Sequence, residues 1–374
     1  MKKQNKIYLL IGFIVLILIG LVLVFLGDNG KDDKDIVKVG VILPMTGSQT
    51  SNGEDYLKAI KLAEEEINNS RNFKNKISLF PQDGKGDGAE SVTAAHNLIG
   101  INGVDVILTA FQGPTNAIAP LAHENKVVVV GNTGTNRNRL FGKEYFFPMG
   151  VDLISGGEYF GGELENRCSS LAMLYENIPP ALDITNSIKE KHHNIVLDQS
   201  FDYGSKDFGT NVVKLKNSQA DCLFFFAGPE SSISLVNTLK KMGVDIDLFA
   251  TGYTVVPDFI KNADNEIIQG LIYFENRFLP TTNDKPNDYF VNYRERYNEE
   301  PTPLGGIAYD MTYVIAEAAQ KCGPINSECI KDEIRNIGNY QGVMGDEIIT
   351  NQGDILPTDY MLRKIEGSNT VIVQ

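Results

Sequence analysis

Three polar turns in the first part of the sequence could bind a small solute. They lie at residues 46–52, 111–115 and 131–136, each after a run of apolar residues typical of a strand. At such turns backbone N–H groups converge with short polar side chains, and the N-terminus of a following helix favours an anionic group such as a carboxylate. Ordinary turn formation explains the same residue types, and that alternative stays open. The candidate ligand residues here are Ser48, Asn52, Gln112, Gly113, Thr115, Thr133, Gly134 and Thr135.

The sequence offers little for catalysis. Its four histidines include one close pair, His192 and His193, and no HExxH, GxSxG, P-loop or GxGxxG motif occurs. The glycine-rich segment 84–88 lacks the Lys-Ser/Thr pair of a phosphate-binding loop. Because no metal-ligand spacing is present either, we expect a binding protein with no cofactor and no metal rather than an enzyme.

Composition and charge restrict the class of partner. The chain has 374 residues, of which 42% are apolar and 22% charged, as in a globular protein. Its length predicts two domains, at about 150 residues per domain. The net charge is −14, from 34 basic and 48 acidic residues, and phosphate backbones are bound by clustered Lys and Arg. We therefore expect no nucleic-acid partner.

An apolar segment near the N-terminus predicts a transmembrane helix. Residues 7–26 carry no charge, and as a helix they would span about 30 Å, the thickness of the bilayer core. Lysines precede this segment, so the positive-inside rule puts residues 1–6 in the cytoplasm. A cleaved signal peptide is the alternative, but bulky Phe25 stands where a small residue is expected. We expect a single-pass membrane anchor, a charged tether at 27–35 and an extracytoplasmic C-terminal domain.

The rest of the chain alternates short β-branched or aromatic runs with amphipathic helices. This pattern predicts parallel sheets with helices on both faces. Helical spacing of apolar residues occurs in 53–68 and in 230–242. The predicted strands form two series, 37–43, 77–80, 104–108, 127–130 and 145–149, then 171–175, 195–199, 222–226, 248–250 and 271–274. Two such series predict an α/β fold with two lobes.

Several short motifs occur in a fixed order along residues 36–374. They are Val37-Lys-Val-Gly-Val-Ile-Leu-Pro-Met-Thr-Gly47, Gln82-Asp83, Pro120-Leu-Ala-His-Glu-Asn-Lys126, Tyr203-Gly-Ser-Lys-Asp-Phe208, Ala308-Tyr309-Asp310 and Gly342-Val-Met-Gly345. In this order and over this length, the sequence resembles type I periplasmic solute-binding proteins of the leucine/isoleucine/valine-binding class. No single motif is specific, so the resemblance rests on their order.

The resemblance implies two Rossmann-like lobes with a central ligand cleft and a hinge of three chain crossings. It implies that the protein captures a small polar or amino-acid-like ligand for an ABC importer, whose permease would be its membrane partner. A ligand-sensing ectodomain that signals through a separate membrane partner is the alternative. The implied crossings lie near Gly150, Glu275 and Thr358, with the first lobe at 36–149 plus 277–357 and the second at 150–276 plus 358–374.

The resemblance also implies ligand contacts. Thr135 aligns with a threonine that holds the ligand's amino-acid group, and Gln112 and Thr115 occupy a turn where the family has serines. In the second lobe, Tyr253 replaces an acidic residue that pairs with the ligand ammonium, and Asn177 lies in a turn that lacks the family's aromatic residue. A phenol can stack or donate a hydrogen bond but carries no negative charge at neutral pH. The second lobe thus favours another small polar or amphipathic solute as readily as a branched-chain amino acid.

The chain has four cysteines, an even number, and it is expected to be external, where disulfides form. Cys322 and Cys329 are separated by a six-residue turn, which predicts a disulfide. Cys168 lies just before the first predicted strand of the second lobe, and Cys222 lies at the start of its third. These strands are neighbours if the second sheet has the order 2-1-3, so the two cysteines can form another disulfide. Two buried free thiols are the alternative for this second pair.

Overall fold

The computed structural model describes residues 35–374, except for Ser48, Val151, Gln352, Asp359, Gln374 and the segments 134–143 and 279–285. The predicted membrane helix at 7–26 and its flanks at 1–6 and 27–34 lie outside the described residues, as do the candidate ligand residues Ser48, Gly134 and Thr135. Within the described part of the chain, no helix is both long enough and apolar enough to cross a membrane.

The strands form two sheets, each built from separate segments of the chain. The eight-stranded first sheet contains Ile36–Leu43 (β1), Lys76–Asp83 (β2), Val106–Ala110 (β3), Val128–Asn132 (β4), Phe146–Met149 (β5), Asn339–Gly342 (β11), Gly345–Ile349 (β12) and Ile355–Pro357 (β13). The seven-stranded second sheet contains Leu171–Glu176 (β6), Ile195–Phe201 (β7), Cys222–Phe226 (β8), Asp247–Thr251 (β9), Ile272–Asn276 (β10), Tyr360–Glu366 (β14) and Asn369–Ile372 (β15).

The strand order is that of two doubly wound sheets with antiparallel additions. The first sheet has the order β11-β12-β13-β5-β4-β3-β1-β2, and β1 to β5 are parallel. The second has the order β15-β14-β10-β9-β8-β6-β7, and β6 to β10 are parallel. The chain passes between the sheets three times, between β5 and β6, between β10 and β11 and between β13 and β14.

Helices cover both faces of each sheet because the parallel strands are apolar on both sides. In β6, for example, Ala172 and Leu174 belong to one core, and Met173 and Tyr175 belong to the core on the opposite face. The described helices are Thr50–Asn69 (α1), Gly88–Asn97 (α2), Gln112–Glu124 (α3), Leu153–Arg167 (α4), Pro179–Lys191 (α5), Gly209–Ser218 (α6), Pro229–Lys241 (α7), Pro257–Asn262 (α8), Pro286–Tyr297 (α9), Pro303–Lys321 (α10) and Ser327–Arg335 (α11).

The predicted alternation of strands and helices is confirmed. Each of the predicted strand segments overlaps one of the strands β1 to β10. The sequence analysis did not predict the five later strands β11 to β15. These strands are short or half-exposed, so their apolar residues form no continuous run.

Both cysteine pairs are joined in the structure. Cys168 bonds to Cys222 and Cys322 bonds to Cys329, with Cα atoms 5.8 Å apart in each pair. The first bridge forms because β6 lies between β7 and β8, the predicted 2-1-3 order, and Leu171 of β6 pairs with Cys222. Each sheet therefore has one disulfide among its own elements.

A buried carboxylate attaches the β11–β12 hairpin to α10. Asp310 accepts hydrogen bonds from the N–H groups of Val343 and Met344, both at 2.9 Å. Glu347 on β12 is only 3% exposed, and its Oε2 has no hydrogen-bond partner among the described residues. Burial, together with the charge of Asp310, raises the pKa of Glu347 well above its usual range. The hairpin is thus held by one buried carboxylate beside a second carboxyl group that favours its protonated form.

Candidate functional site

The turns that follow β1 to β4 lie together at one edge of the first sheet. These strands are parallel, so their carboxyl ends point the same way. The Asp83 carboxylate at the end of β2 accepts hydrogen bonds from the Met45 N–H at 2.9 Å and the Thr46 hydroxyl at 2.6 Å. This carboxylate therefore holds the turn after β1 against the end of β2.

Helix α1 starts close to the same turn. A Cβ atom at Gly53 would lie 2.1 Å from the Pro44 carbonyl oxygen, so only glycine lets the first turn of α1 approach the end of β1. The neighbouring Asn52 is half-buried in that first turn. The structure thus brings Asn52 to the edge where the other strand ends converge.

Helix α3 begins at a sharp turn after β3. Phe111 has a φ of 67°, an unusual backbone conformation for a residue with a side chain. The first residues of α3 follow it, with Gln112 half-exposed and Gly113 exposed. Thr115 is buried, and its hydroxyl donates to the Phe111 carbonyl at 2.7 Å. Gln112 and Gly113 are therefore accessible at this helix start, whereas the Thr115 hydroxyl stabilises the turn from within.

The end of β4 packs directly against α3. A Cβ atom at Gly131 would lie 2.5 Å from Cγ2 of Thr115, so a glycine is needed for this close approach. The Asn132 amide donates a hydrogen bond to the Tyr56 hydroxyl. The next residue, Thr133, is buried, and its hydroxyl has no hydrogen-bond partner within the described ranges. A buried hydroxyl without a partner is uncommon, and this one directly follows the carboxyl end of β4.

A buried carboxylate organises the corresponding edge of the second sheet. Glu176, the last residue of β6, is 1% exposed. Its carboxylate accepts hydrogen bonds from the N–H of Gly204 at 3.2 Å, the N–H of Gly228 at 3.1 Å and the hydroxyl of Ser231 at 2.9 Å. Gly204 follows β7, and Gly228 precedes α7. One side chain thus joins the ends of three neighbouring strands.

Tyr253 lies on the turn after β9, at the same edge. Its ring stacks on Phe226, with ring centroids 5.0 Å apart and an interplanar angle of 16°. Phe226 is buried, while Tyr253 is 49% exposed. Burial, followed by the charge of Glu176, raises the pKa of Tyr253, so the phenol is neutral at physiological pH. The second edge therefore presents a partly exposed aromatic ring with a hydroxyl group.

The other predicted residue of this edge, Asn177, has an exposed side chain, and its N–H donates to the Phe201 carbonyl at 2.7 Å. Thr251, at the end of β9, has a buried hydroxyl with no partner among the residues that the structure describes. The described candidates thus fall on two edges, Asn52, Gln112, Gly113, Thr115 and Thr133 on the first and Asn177 and Tyr253 on the second.

Glu176 is not among the candidate residues that the sequence indicates. The sequence does contain a signal, because a glutamate closes the otherwise apolar run Leu171–Glu176. A charged residue at the end of a buried strand needs partners. Those partners come from turns far along the chain, and only the fold brings them near.

These edges offer hydrogen-bond donors and an aromatic surface rather than catalytic pairs. The histidine pair His192 and His193 lies between α5 and β7, at the opposite edge of the second sheet, where Nδ1 of His193 is 2.9 Å from the Glu165 carboxylate. In the described part of the chain, no group of three or more His, Cys, Asp or Glu residues could hold a metal ion.

The sequence profile of the periplasmic binding protein family matches residues 36–369. A Leu/Ile/Val-binding protein homolog of Brucella abortus is 22% identical over 345 residues, which cover 88% of this chain and 90% of the relative. The branched-chain amino acid transporter substrate-binding protein of Streptococcus pneumoniae, solved with isoleucine, has a TM-score of 0.78 at 22% identity and covers 90% of this chain and 99% of its own. A solute-binding protein of Rhodopseudomonas palustris, solved with 3,4-dihydroxybenzoic acid, has a TM-score of 0.72 at 20% identity and covers 89% of this chain and 93% of its own.

The fold is therefore that of a two-lobe type I periplasmic binding protein, as the resemblance implied. The chain belongs to the periplasmic binding protein family. Members of this family are extracytoplasmic proteins that bind small solutes and are not enzymes.

Proposed function

We propose that the protein is a membrane-tethered extracytoplasmic binding protein that captures a small amino-acid-like carboxylate for an ABC importer. The observation that carries this proposal is the pair of polar sheet edges, each with a buried hydroxyl that has no partner among the described residues, Thr133 on the first and Thr251 on the second. Ligands of open α/β sheets bind outside the carboxyl ends of the strands, where these residues lie.

The first edge is suited to the ligand carboxylate. Helix α3 begins there with accessible Gln112 and Gly113, and the first N–H groups of a helix attract anions. The Thr133 hydroxyl can donate to the same group. We propose that Ser48, Gly134 and Thr135 complete this side of the pocket.

The second edge is suited to the remainder of the solute. Tyr253 supplies a flat surface and a hydroxyl, and Asn177 supplies an exposed amide. We propose that the lobes consist of 36–149 plus 277–357 and of 150–276 plus 358–374, and that a solute which contacts both would favour a closed form. The isoleucine complex of the Streptococcus pneumoniae neighbour supports an amino acid as the solute.

The anchor and the importer are the remaining parts of the proposal. Residues 7–26 are apolar enough and long enough to span a bilayer, with lysines before them. An anchor of this kind would keep the binding domain beside a permease in the same membrane. The name of the Streptococcus pneumoniae neighbour, a transporter substrate-binding protein, supports an importer as the partner.

A second class of ligand, aromatic carboxylates, is favoured by the stacked pair of Tyr253 and Phe226. The exposed face of Tyr253 could stack on a ligand ring. The neighbour from Rhodopseudomonas palustris, solved with 3,4-dihydroxybenzoic acid, supports this alternative.

A thermal-shift screen of the full chain in detergent tests the proposal. The panel contains the twenty amino acids, short aliphatic acids and hydroxybenzoates. A solute at a hundred times its dissociation constant should add about 2.7 kcal/mol to the free energy of unfolding. If no member of a broad library shifts the transition and no solute can be extracted from the purified protein, the proposed function is wrong.

A further inference from the structure

We propose that Glu176 determines the charge preference of the second-lobe side of the cleft, so that this side selects a solute with a positively charged amino group. The inference rests on the proposed function and specifies its ligand. It concerns a residue that is not expected to touch the solute, since the buried Glu176 carboxylate already accepts three hydrogen bonds.

The surroundings of Glu176 are those of an ionised carboxylate. Its three hydrogen-bond partners among the described residues, Gly204, Gly228 and Ser231, all act as donors, whereas a protonated carboxyl group would need an acceptor for its own proton. Among the described residues, no lysine or arginine pairs with it. The nearby Lys206 instead pairs with Glu230 at 2.9 Å. The negative charge of Glu176 is therefore held by dipoles and is not cancelled by a cation.

This charge lies close to the surface that Tyr253 forms. A Cβ atom at Gly228 would be 3.8 Å from the Tyr253 hydroxyl and 3.9 Å from Oε2 of Glu176, so both groups border the same point. The charge of Glu176 also contributes to the raised pKa of Tyr253, as expected of an anion near the phenol.

Other carboxylates at this edge are exposed, paired with a cation or, in the case of the buried Asp152 at the start of α4, hydrogen-bonded to the first turn of their own helix. Asp202, at the end of β7, is exposed to solvent, where water and salt screen its charge. Asp207 accepts from the Gly209 N–H at 3.0 Å, and Glu275 pairs with Arg363 at 3.3 Å. Glu176 is thus buried, has no cationic partner among the described residues and lies beside Tyr253, so its field at the Tyr253 surface is only weakly screened.

Two consequences follow for the solute. A carboxylate is repelled from the second edge and attracted to the helix start at the first edge. A positively charged amino group is favoured near Tyr253, where the ring face adds a cation–π attraction. An α-amino acid can make favourable contacts with both edges, whereas a carboxylate without an amino group can do so only with the first.

The test compares two probes with the same carbon skeleton, L-leucine and 4-methylpentanoate, which lacks the amino group. Their dissociation constants are measured by calorimetry on the full chain in detergent. Wild-type protein should bind leucine at least about tenfold more tightly than 4-methylpentanoate. Glu176→Gln should reduce this ratio to about twofold or less, while Glu176→Asp, which keeps the charge, should retain most of it.

Asp202→Asn is the matched control, because it removes an equal but exposed charge from the same edge. It should leave the ratio within about twofold of wild type. Equal binding of the two probes by wild-type protein, or an unchanged ratio in folded Glu176→Gln, would overturn the inference while the proposed function stands. If Glu176→Gln does not fold, the wild-type ratio and Glu176→Asp decide. If no solute of the thermal-shift panel binds, the proposed function is overturned, and this inference with it.

Discussion

At the edge of the first sheet a half-buried carboxylate, Asp83, holds one neighbouring turn, whereas at the edge of the second sheet the fully buried Glu176 holds two. Both act by accepting N–H groups from the turns of adjacent strands. Water can replace the lost bonds around Asp83 but not those around Glu176. The same kind of contact therefore stabilises a single turn in the first lobe. In the second lobe it joins several strand ends and also places a negative charge near the surface.

The largest losses of stability that we expect concern the disulfides of the two lobes. Cys168 and Cys222 are 54 residues apart, and Cys322 and Cys329 are 7 apart. Replacing the first pair with alanine should lower the free energy of unfolding by about 4 kcal/mol, and replacing the second pair by about 2.5 kcal/mol, since the longer loop restricts the unfolded chain more. Denaturant unfolding of the two double variants measures both values. Equal losses would mean that loop closure does not account for the stabilisation.

The comparison of the two carboxylates can be tested by truncation. Glu176→Ala leaves two N–H groups and a hydroxyl without their acceptor and should lower the free energy of unfolding by about 3 kcal/mol. Asp83→Ala leaves half-exposed donors that water can reach, and should cost about 1 kcal/mol. Urea denaturation of the two variants provides the values. If Asp83→Ala proved as costly as Glu176→Ala, burial would not be the distinguishing feature.

The glycines beside the two edges differ in the space around them. Gly131→Ala would bring a methyl group within 2.5 Å of Thr115 and should cost about 2 kcal/mol through overpacking. Gly228→Ala would make only ordinary contacts, with the nearest atom at 3.8 Å, and should change stability by less than about 0.5 kcal/mol. Thermal unfolding of both variants is the measurement. If Gly228→Ala were destabilised, there would be less room beside Gly228 than the distances to Glu176 and Tyr253 indicate.

The smallest effect concerns pH and the buried Glu347 of the first sheet. Its raised pKa means that the folded chain keeps a proton which the unfolded chain loses above the usual value of 4.5. The free energy of unfolding therefore falls as pH rises through this range, until the folded-state pKa is reached. Glu347→Gln has no such proton and should be more stable than wild type by about 1 kcal/mol at pH 8, with no gain at pH 4. A gain that is independent of pH would contradict the assignment.

Much of the fold could be predicted because its parallel strands are buried on both faces. The runs that became β6 and β8, for example, are apolar at nearly every position, and the turns between elements interrupt them clearly. The strands β11 to β15 could not be found in this way. In β15, for example, most residues are exposed, and pairing with β14 rather than an apolar run defines the strand.

The candidate site was predicted less completely than the fold. Polar turns such as the one at Gln112 can be recognised in the sequence because each directly follows an apolar run that is typical of a strand. The buried state of the Thr115 hydroxyl, in contrast, depends on the close approach of Gly131. The role of Glu176 depends on turns that lie 28 and 52 residues further along the chain. Contacts of this range follow from topology, which the local sequence does not contain.

A solute that is held between the two edges should lose affinity when either edge is changed, and calorimetric titration measures this loss. The titrant is whichever of L-leucine and 3,4-dihydroxybenzoate binds more tightly to the full chain. Thr133→Val removes one hydroxyl from the first edge, and Tyr253→Ala removes the ring from the second. We predict that each change alone weakens binding by about tenfold, the loss of one good contact. Unchanged affinity in both variants would contradict a site shared by the two lobes.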